Sequence, residues 1–324
     1  MQRRHLLGAL AAMPLATMYR LGSAQTPFPN KAITIIVPAT PGGAIDMAAR
    51  LVGNKLTGAW GQPVTVENKG GAAGIIGTDA VARAAPDGYT LALVASSHAI
   101  NPSVYKKLPF DTIKSFEPVS QTHTVPLVLV VNNEIPARNV AELIQYLKAN
   151  PGKVSFASSG TGGAPHMSAE LFKTMAGVDI GHVPYKGSTA AHPDLIAGRV
   201  GLMFDTVSAI APQIRSGKVR ALAVTTGKRS SYFPDIPTMI EAGMAGYETS
   251  TWGGILAPAH TPQAVVERLS AEVAKVLAAA DVRETFSGAG IEAVSSTPQQ
   301  FAAFILAERD RWAKVAKAAG IQPE

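Results

Sequence analysis

The chain has 324 residues, 47% of them hydrophobic and 16% charged, which is length for about two domains with ordinary apolar cores. Its formal net charge of +6 is spread along the sequence, which argues against a nucleic-acid binder, whose Lys and Arg would gather on one face. Cysteine is absent, and that excludes disulfides, thiolate metal sites and a Cys nucleophile.

Residues 1–25 read MQRRHLLGALAAMPLATMYRLGSAQ. A basic start (Arg3, Arg4), an apolar middle and the small residues Gly22, Ser23 and Ala24 predict an export signal cleaved after Ala24, placing the mature protein in the periplasm. The two arginines fit a Sec or a twin-arginine signal. Removing residues 1–24 removes three Arg and no acid, so 29 basic residues become 26 against 23 acidic ones, a mild net +3. No apolar run reaches the ~18–20 residues of a membrane span.

After the signal, strands and helices alternate. Residues 33–37 (ITIIV) predict a buried strand that stops at Pro38, and a helix follows over 44–59. A short strand at 64–67, a glycine loop at 70–74 and a helix at 75–85 come next, then a strand at 90–95 followed by Ser96, Ser97 and His98. The pattern restarts with an apolar strand at 125–131 and a helix at 140–149. A strand at 154–157, a Ser/Gly/Thr loop at 158–163 and a helix at 167–175 repeat the opening arrangement. Further strands are expected at 200–204, 219–225 and 250–257, with helices at 188–197, 262–278 and 298–318. Such alternation implies βαβ units and parallel sheets. The expected fold is α/β with two lobes: 27–124 plus 252–324 in the first, 125–251 in the second. Two strands near 120–128 and 248–256 would cross between them as a hinge.

The ordered motifs resemble a known family. ITIIVPATPGGAID, GQPVTVENKGGAAGIIGTDAVARAAPDGYTL, NPSVYKKLPFDTIKSFEPVS, NPGKVSFASSGTGG, HVPYKGSTAA, GRVGLMFD, KVRALAVTTGKRS and FPDIPTMIEAGM together are similar to Bug-type periplasmic solute-binding proteins, the receptors of tripartite tricarboxylate transporters. The resemblance implies a type II periplasmic-binding-protein fold closing on a small carboxylate, a membrane permease as partner, and no enzyme activity or cofactor. A monomer is expected. A periplasmic sensor of the same ligands and a Ser/His enzyme acting on small carboxylates are the alternatives.

Candidate ligand-binding residues follow from loop chemistry. Ala39, Thr40, Gly42 and Gly43 lie between a strand and a helix start, where free backbone N–H groups and the helix dipole attract anions. The family often carries an aromatic residue where Ala39 stands. Asp46 is read as support for that helix start. Ser96, Ser97 and His98 end a strand at the edge where ligands of open α/β sheets sit. Ser158, Ser159, Gly160, Thr161 and Gly163 form the second lobe's counterpart of the opening loop. Lys186, Gly187 and Ser188 precede another helix, and Asp205 ends a strand at the same edge, where it would suit an amine or a hydroxyl. A helix cap explains Ser158 or Asp205 as simply. The histidines show no metal-ligand spacing, and no GxSxG, HExxH, Walker or GxGxxG pattern occurs.

Overall fold

A computed structural model describes residues 28–323; the export-signal reading lies outside the described residues. The chain opens with β1 (Ile33–Val37), α1 (Ala44–Trp60), β2 (Val64–Asn68), α2 (Ile75–Ala82), β3 (Thr90–Ala95) and α3 (Ser97–Val104). The 16-residue β4 (Phe116–Val131) follows. Next come α4 (Val140–Ala149), β5 (Ser155–Ser158), α5 (Ala164–Ala176), β6 (Gly181–Pro184), α6 (Ser188–Ile196), β7 (Leu202–Thr206), α7 (Val207–Arg215) and β8 (Arg220–Val224). The chain closes with β9 (Ser250–Pro258), α8 (Gln263–Ala278), α9 (Ala280–Gly288), β10 (Glu292–Ala293) and α10 (Pro298–Ala318).

Local sequence accounts for these boundaries. The helix α1 buries Ala48, Val52 and Leu56, one turn apart on one face, and Gly61 ends it in the left-handed conformation with its N–H on the Thr57 carbonyl. Thr297 and Gln300 form a reciprocal capping box at the start of α10, with Pro298 in the first turn.

The strands run in the order β2-β1-β3-β9-β4-β7-β5-β6, with β8 and β10 also paired to β4. In one half β1 runs parallel to β2 and β3; in the other, β5 runs parallel to β6 and β7. The long β4 belongs to both. Its residues 116–126 pair with β9, and residues 127–131 pair with β7 and β8. Thr124 stands opposite Trp252 and Val125 opposite Thr251, so the two expected lobe borders face each other across one ladder. Apolar side chains collect on both sides of this line. Ile35, Leu56, Leu93 and Leu269 share one core; Phe156, Phe172, Phe204 and Tyr247 share another. Each fully buried side chain of this size is worth ~1.5–3 kcal/mol.

Three expectations change. Ser96, Ser97 and His98 are expected to end a strand, with no helix assigned after them, but α3 starts at Ser97 and buries Ala99, Ile100 and Val104. The crossing strand begins at Phe116, nine residues before the apolar run suggests. Its polar Ser120 and Gln121 are buried and satisfied from far along the chain: Ser296 N–H donates to the Ser120 hydroxyl (3.1 Å) and Gln121 N–H to the Ser296 hydroxyl (3.0 Å). The helix α9, with its buried Val282 and Phe286, has no counterpart in the sequence reading.

The helix α10 lies against both halves. Its Trp312 and Val315 pack with Ile100 and Val104 of α3, Leu127 of β4, and Ala164 and Met167 of α5. Glu308 is buried and accepts both the Trp252 and Trp312 indole N–H groups, at 3.1 and 3.0 Å. On the crossing strand, a Cβ at Gly254 would lie 2.0 Å from the Phe301 ring, so glycine is what lets α10 approach β9.

Candidate functional site

Parallel strands deliver their carboxyl ends to one edge, and each half of the sheet does this once. In the first half the edge holds residues 38–43 after β1, 69–74 after β2 and 96–97 after β3. In the second it holds 158–163 at and after the end of β5, 185–187 after β6 and 205–206 at the end of β7. The N-termini of α1, α2, α3, α5, α6 and α7 sit at these positions, and none has a side-chain cap. The N-cap residues of α1, α5 and α6 are Gly43, Gly163 and Gly187. Elsewhere α4 and α10 are capped by Asn139 and Thr297, while α8 and α9 also lack a side-chain cap. Uncapped helix starts leave backbone N–H groups and partial positive charge directed outward. A β-carbon placed at Gly42, Gly43 or Gly187 would meet nothing within 4 Å, so these segments border open space.

The first loop is held by a charged network. The Asp46 carboxylate accepts from the Gly42 N–H (3.0 Å), from Arg50 Nε (3.1 Å) and from Asn68 Nδ2 (2.9 Å). Asn68 also donates to the Ala39 carbonyl at 3.3 Å. Burial acts to raise the Asp46 pKa, but Arg50, the Gly42 N–H and Asn68 together hold it below the usual value. Gly42 has φ +91°, which its position between Pro41 and the helix start requires. Ala39 and Thr40 lie against Gly70, where a Cβ would be 3.2 Å from their backbone. Beyond it, Ala72 and Ala73 both adopt positive φ (47° and 51°), and Asn101 of α3 donates to the Ala73 carbonyl at 3.2 Å.

The second loop rests on neutral rings. The Ser158 hydroxyl pairs with His182 Nε2 at 2.6 Å and also meets the Gly160 carbonyl and N–H. Gly162 N–H donates to His166 Nδ1 at 3.2 Å. The His166 and His182 rings stack at 4.0 Å, and Phe156 stacks on His182 at 4.8 Å. Burial brings His166 down to about 3 and His182 to about 4, with nearby Lys173 adding to both. Both imidazoles are therefore uncharged at neutral pH. Neighbouring backbone joins this loop to the next: Gly187 N–H donates to the Ser159 carbonyl at 3.2 Å.

The structure brings Ala39, Thr40, Gly42, Gly43, Ser97, Ser159, Gly160, Thr161, Gly163, Lys186 and Gly187 to the two edges with part or all of their surface open. Lys186 is exposed and has no acidic partner among the described residues. Five other expected contacts have side chains committed to the protein interior. His98 is buried between Phe110 and Phe116, bonds the Thr112 carbonyl at 2.8 Å, and is held at about 4 by burial, which that carbonyl opposes without overcoming. Ser96 pairs with Thr251 of β9 at 3.0 Å. Ser158 is 0% exposed. Ser188 donates to Asp205 Oδ1 at 2.5 Å, and Asp205, itself 0% exposed, also accepts from the Thr206 N–H and pairs with His192 Nε2 at 2.7 Å. Sequence reasoning missed Asn68, Asn101, His166 and His182 as loop supports; the position of Asn68 at a strand end was the one available signal.

Neither Ser–His arrangement has the layout of a nucleophilic site. Ser158 touches His182 but is closed to solvent, and in the other group Asp205 stands between Ser188 and His192, so the base does not reach the hydroxyl. Among the described residues no group of three or more His, Cys, Asp or Glu could hold a metal ion.

A family model described as "Tripartite tricarboxylate transporter family receptor" matches residues 48–321. The chain belongs to this receptor family. Among its relatives, protein BugT of Bordetella pertussis is 40% identical over 300 residues, covering 92% of each chain. A solved structure of Rpa4515 from R. palustris with adipate superimposes with TM-score 0.83 at 39% identity, covering 92% of this chain and all of that one. MatC from Rhodopseudomonas palustris with bound malate gives TM-score 0.78 at 31% identity, covering 89% of this chain and all of that one. The mixed α/β architecture is thus that of the family's solute-binding proteins.

Proposed function

We propose that this receptor traps a small carboxylate between its two halves, 27–124 with 252–324 and 125–251, and delivers it to the membrane permease of a tripartite tricarboxylate transporter. The observation that carries this reading is the pairing of two glycine-lined edges, each with uncapped helix starts, on either side of the crossing strands β4 and β9. Backbone N–H groups of Thr40, Gly43, Ser159, Thr161 and Gly163, which the loop networks leave unused, hold one carboxylate, directly and through water, without a full ion pair. Ser97, Thr161 and Lys186 add side-chain contacts. His98, Ser158, Ser188 and Asp205 shape the edges from behind. Closure occurs by bending of β4 and β9 near their shared Thr124–Trp252 and Val125–Thr251 pairs. The chain works as an exported monomer in the periplasm, and it releases its ligand unchanged.

Adipate and malate, the ligands named for two relatives, are the first compounds to test. Thermal shift and calorimetry should show saturable binding of at least one small carboxylate, with ligand recovered intact by mass spectrometry. Stabilisation by sugars or cations and by no carboxylate, or chemical conversion of the ligand, would overturn the reading.

A further inference from the structure

The edges of the proposed cleft leave no carboxylate free, and Lys69 there is paired with Glu67 at 3.3 Å. Residues 38–47, 68–76, 95–98, 158–165, 184–189 and 205–208 contain only two acidic residues, Asp46 and Asp205. Both are occupied by the protein. Asp46 takes the Gly42 N–H, the Arg50 guanidinium and the Asn68 amide. Asp205 takes the Ser188 hydroxyl, the Thr206 N–H and His192. Asp205 has no exposed surface at all, and Asp46 is 5% exposed. Lys186, in contrast, is exposed and unpaired by any acid among the described residues.

An α-ammonium group needs either a carboxylate or a set of free carbonyl oxygens to replace its water. The carboxylates are taken. The backbone at these edges is the start of six helices, which presents N–H groups and partial positive charge, a field that repels a cation. A hydroxyl or a methylene in the same place meets no such penalty. We infer that the cleft selects carboxylates without an amino group, plain or hydroxylated, and rejects the α-amino acids of the same carbon skeleton. This inference rests on the receptor reading and narrows its ligand class.

Matched sets test it on the mature full chain: succinate, malate and aspartate; glutarate, 2-hydroxyglutarate and glutamate. Calorimetry should give each amino acid at least ~10-fold weaker binding than its best matched acid, about 1.4 kcal/mol. Equal or tighter binding of aspartate or glutamate would overturn this inference and leave the receptor reading standing. No binding of any acid in either set, nor of adipate, overturns both. A second arm uses Ser188→Ala, which uncovers one oxygen of Asp205. The ratio of amino-acid to plain-acid affinity should move toward the amino acid, whatever the change in absolute affinity. An unchanged ratio, with the variant folded by circular dichroism, would mean that the shielding of Asp205 does not set the preference.

Discussion

The two glycine loops at residues 38–43 and 158–163 occupy equivalent places in the two halves, yet they are fixed by opposite means. The first depends on charge: Asp46, with Arg50 and Asn68 around it, ties Gly42 to the opening turn of α1. The second depends on neutral, stacked rings: His166 accepts from Gly162, and His182 holds Ser158. Both solutions use up the N–H groups of Gly42 and Gly162 inside the protein and leave Gly43 and Gly163 as uncapped helix starts beside them. In the proposed site a carboxylate would meet the preset dipoles of these helix starts on both sides. The difference also assigns each loop its own vulnerability, to lost hydrogen bonds at Asp46 and to protonation at the histidines.

The largest expected effect separates open from packed glycine. Gly43 has extended φ/ψ and open space in front, so Gly43→Leu should fold normally and fill the cleft. Calorimetry should show at least ~100-fold weaker ligand binding, close to 3 kcal/mol, with little change in Tm. At Gly162, with φ +77°, an added Cβ would lie 2.9 Å from Val104, so the matching Gly162→Leu should lose stability. Normal affinity in Gly43→Leu would show that the first loop is scaffold only.

Breaking each support comes next. Asp46→Ala orphans the Gly42 N–H and the Asn68 amide, and His166→Phe orphans the Gly162 N–H; each should cost ~1–3 kcal/mol of stability or binding. His166→Asn offers an amide oxygen near the Nδ1 position and should recover most of the loss. A Phe variant as good as Asn, by urea midpoint and ligand affinity, would remove His166 from the account.

Much of this molecule is legible in its sequence, and the illegible part has a common physical cause. The strand β1 follows from a β-branched run ended by Pro38, and β3 and β5 from short apolar stretches ended by serines, signals confined to a few neighbouring residues. The first half of β4 is polar, and its place in the sheet becomes visible only once β9, β10 and Ser296 are beside it. The site divides in the same way. That residues 39–43 and 158–163 reach an edge is local information. That His98 and Asp205 are directed inward depends on Thr112, Ser188 and His192, which the chain brings up from 13 to 17 residues away. Residue type alone suggested contact for both; tertiary partners decide which way such a side chain serves.

Acid acts on the two loop supports with the same sign but in different pH windows. Burial holds His98, His123 and His182 at about 4 and His166 at about 3, all below the unfolded 6.5. The unfolded chain therefore takes up these protons first. Their contribution to stability is full above pH 6.5 and is lost as pH falls toward 4. Asp46 is also depressed, below its usual 3.8, but its contribution persists down to that value and disappears only below it. Urea midpoints should thus decline between pH 6.5 and 4 while the Asp46 network is still intact. His166→Asn, with one titrating ring fewer, should flatten that slope by up to ~1.4 kcal/mol per pH unit. Identical slopes for variant and wild type would show that His166 is not the buried neutral ring described here.

The smallest effect concerns the one side chain at these edges whose charge faces outward without an acid beside it. Lys186 is exposed, so its attraction for a bound carboxylate is weakened by water and screened by salt. Lys186→Gln should reduce affinity by no more than ~1 kcal/mol, about fivefold. The sharper readout is ionic strength: wild-type affinity should fall by a few-fold from 50 to 500 mM salt, and the variant's should be nearly flat, since Debye screening at ~3–10 Å acts on exposed charge and barely on backbone dipoles inside a closed cleft. A variant that keeps the wild-type salt slope would mean that helix starts alone supply the electrostatics, making both halves of the site as neutral in operation as the His166–His182 side already is in structure.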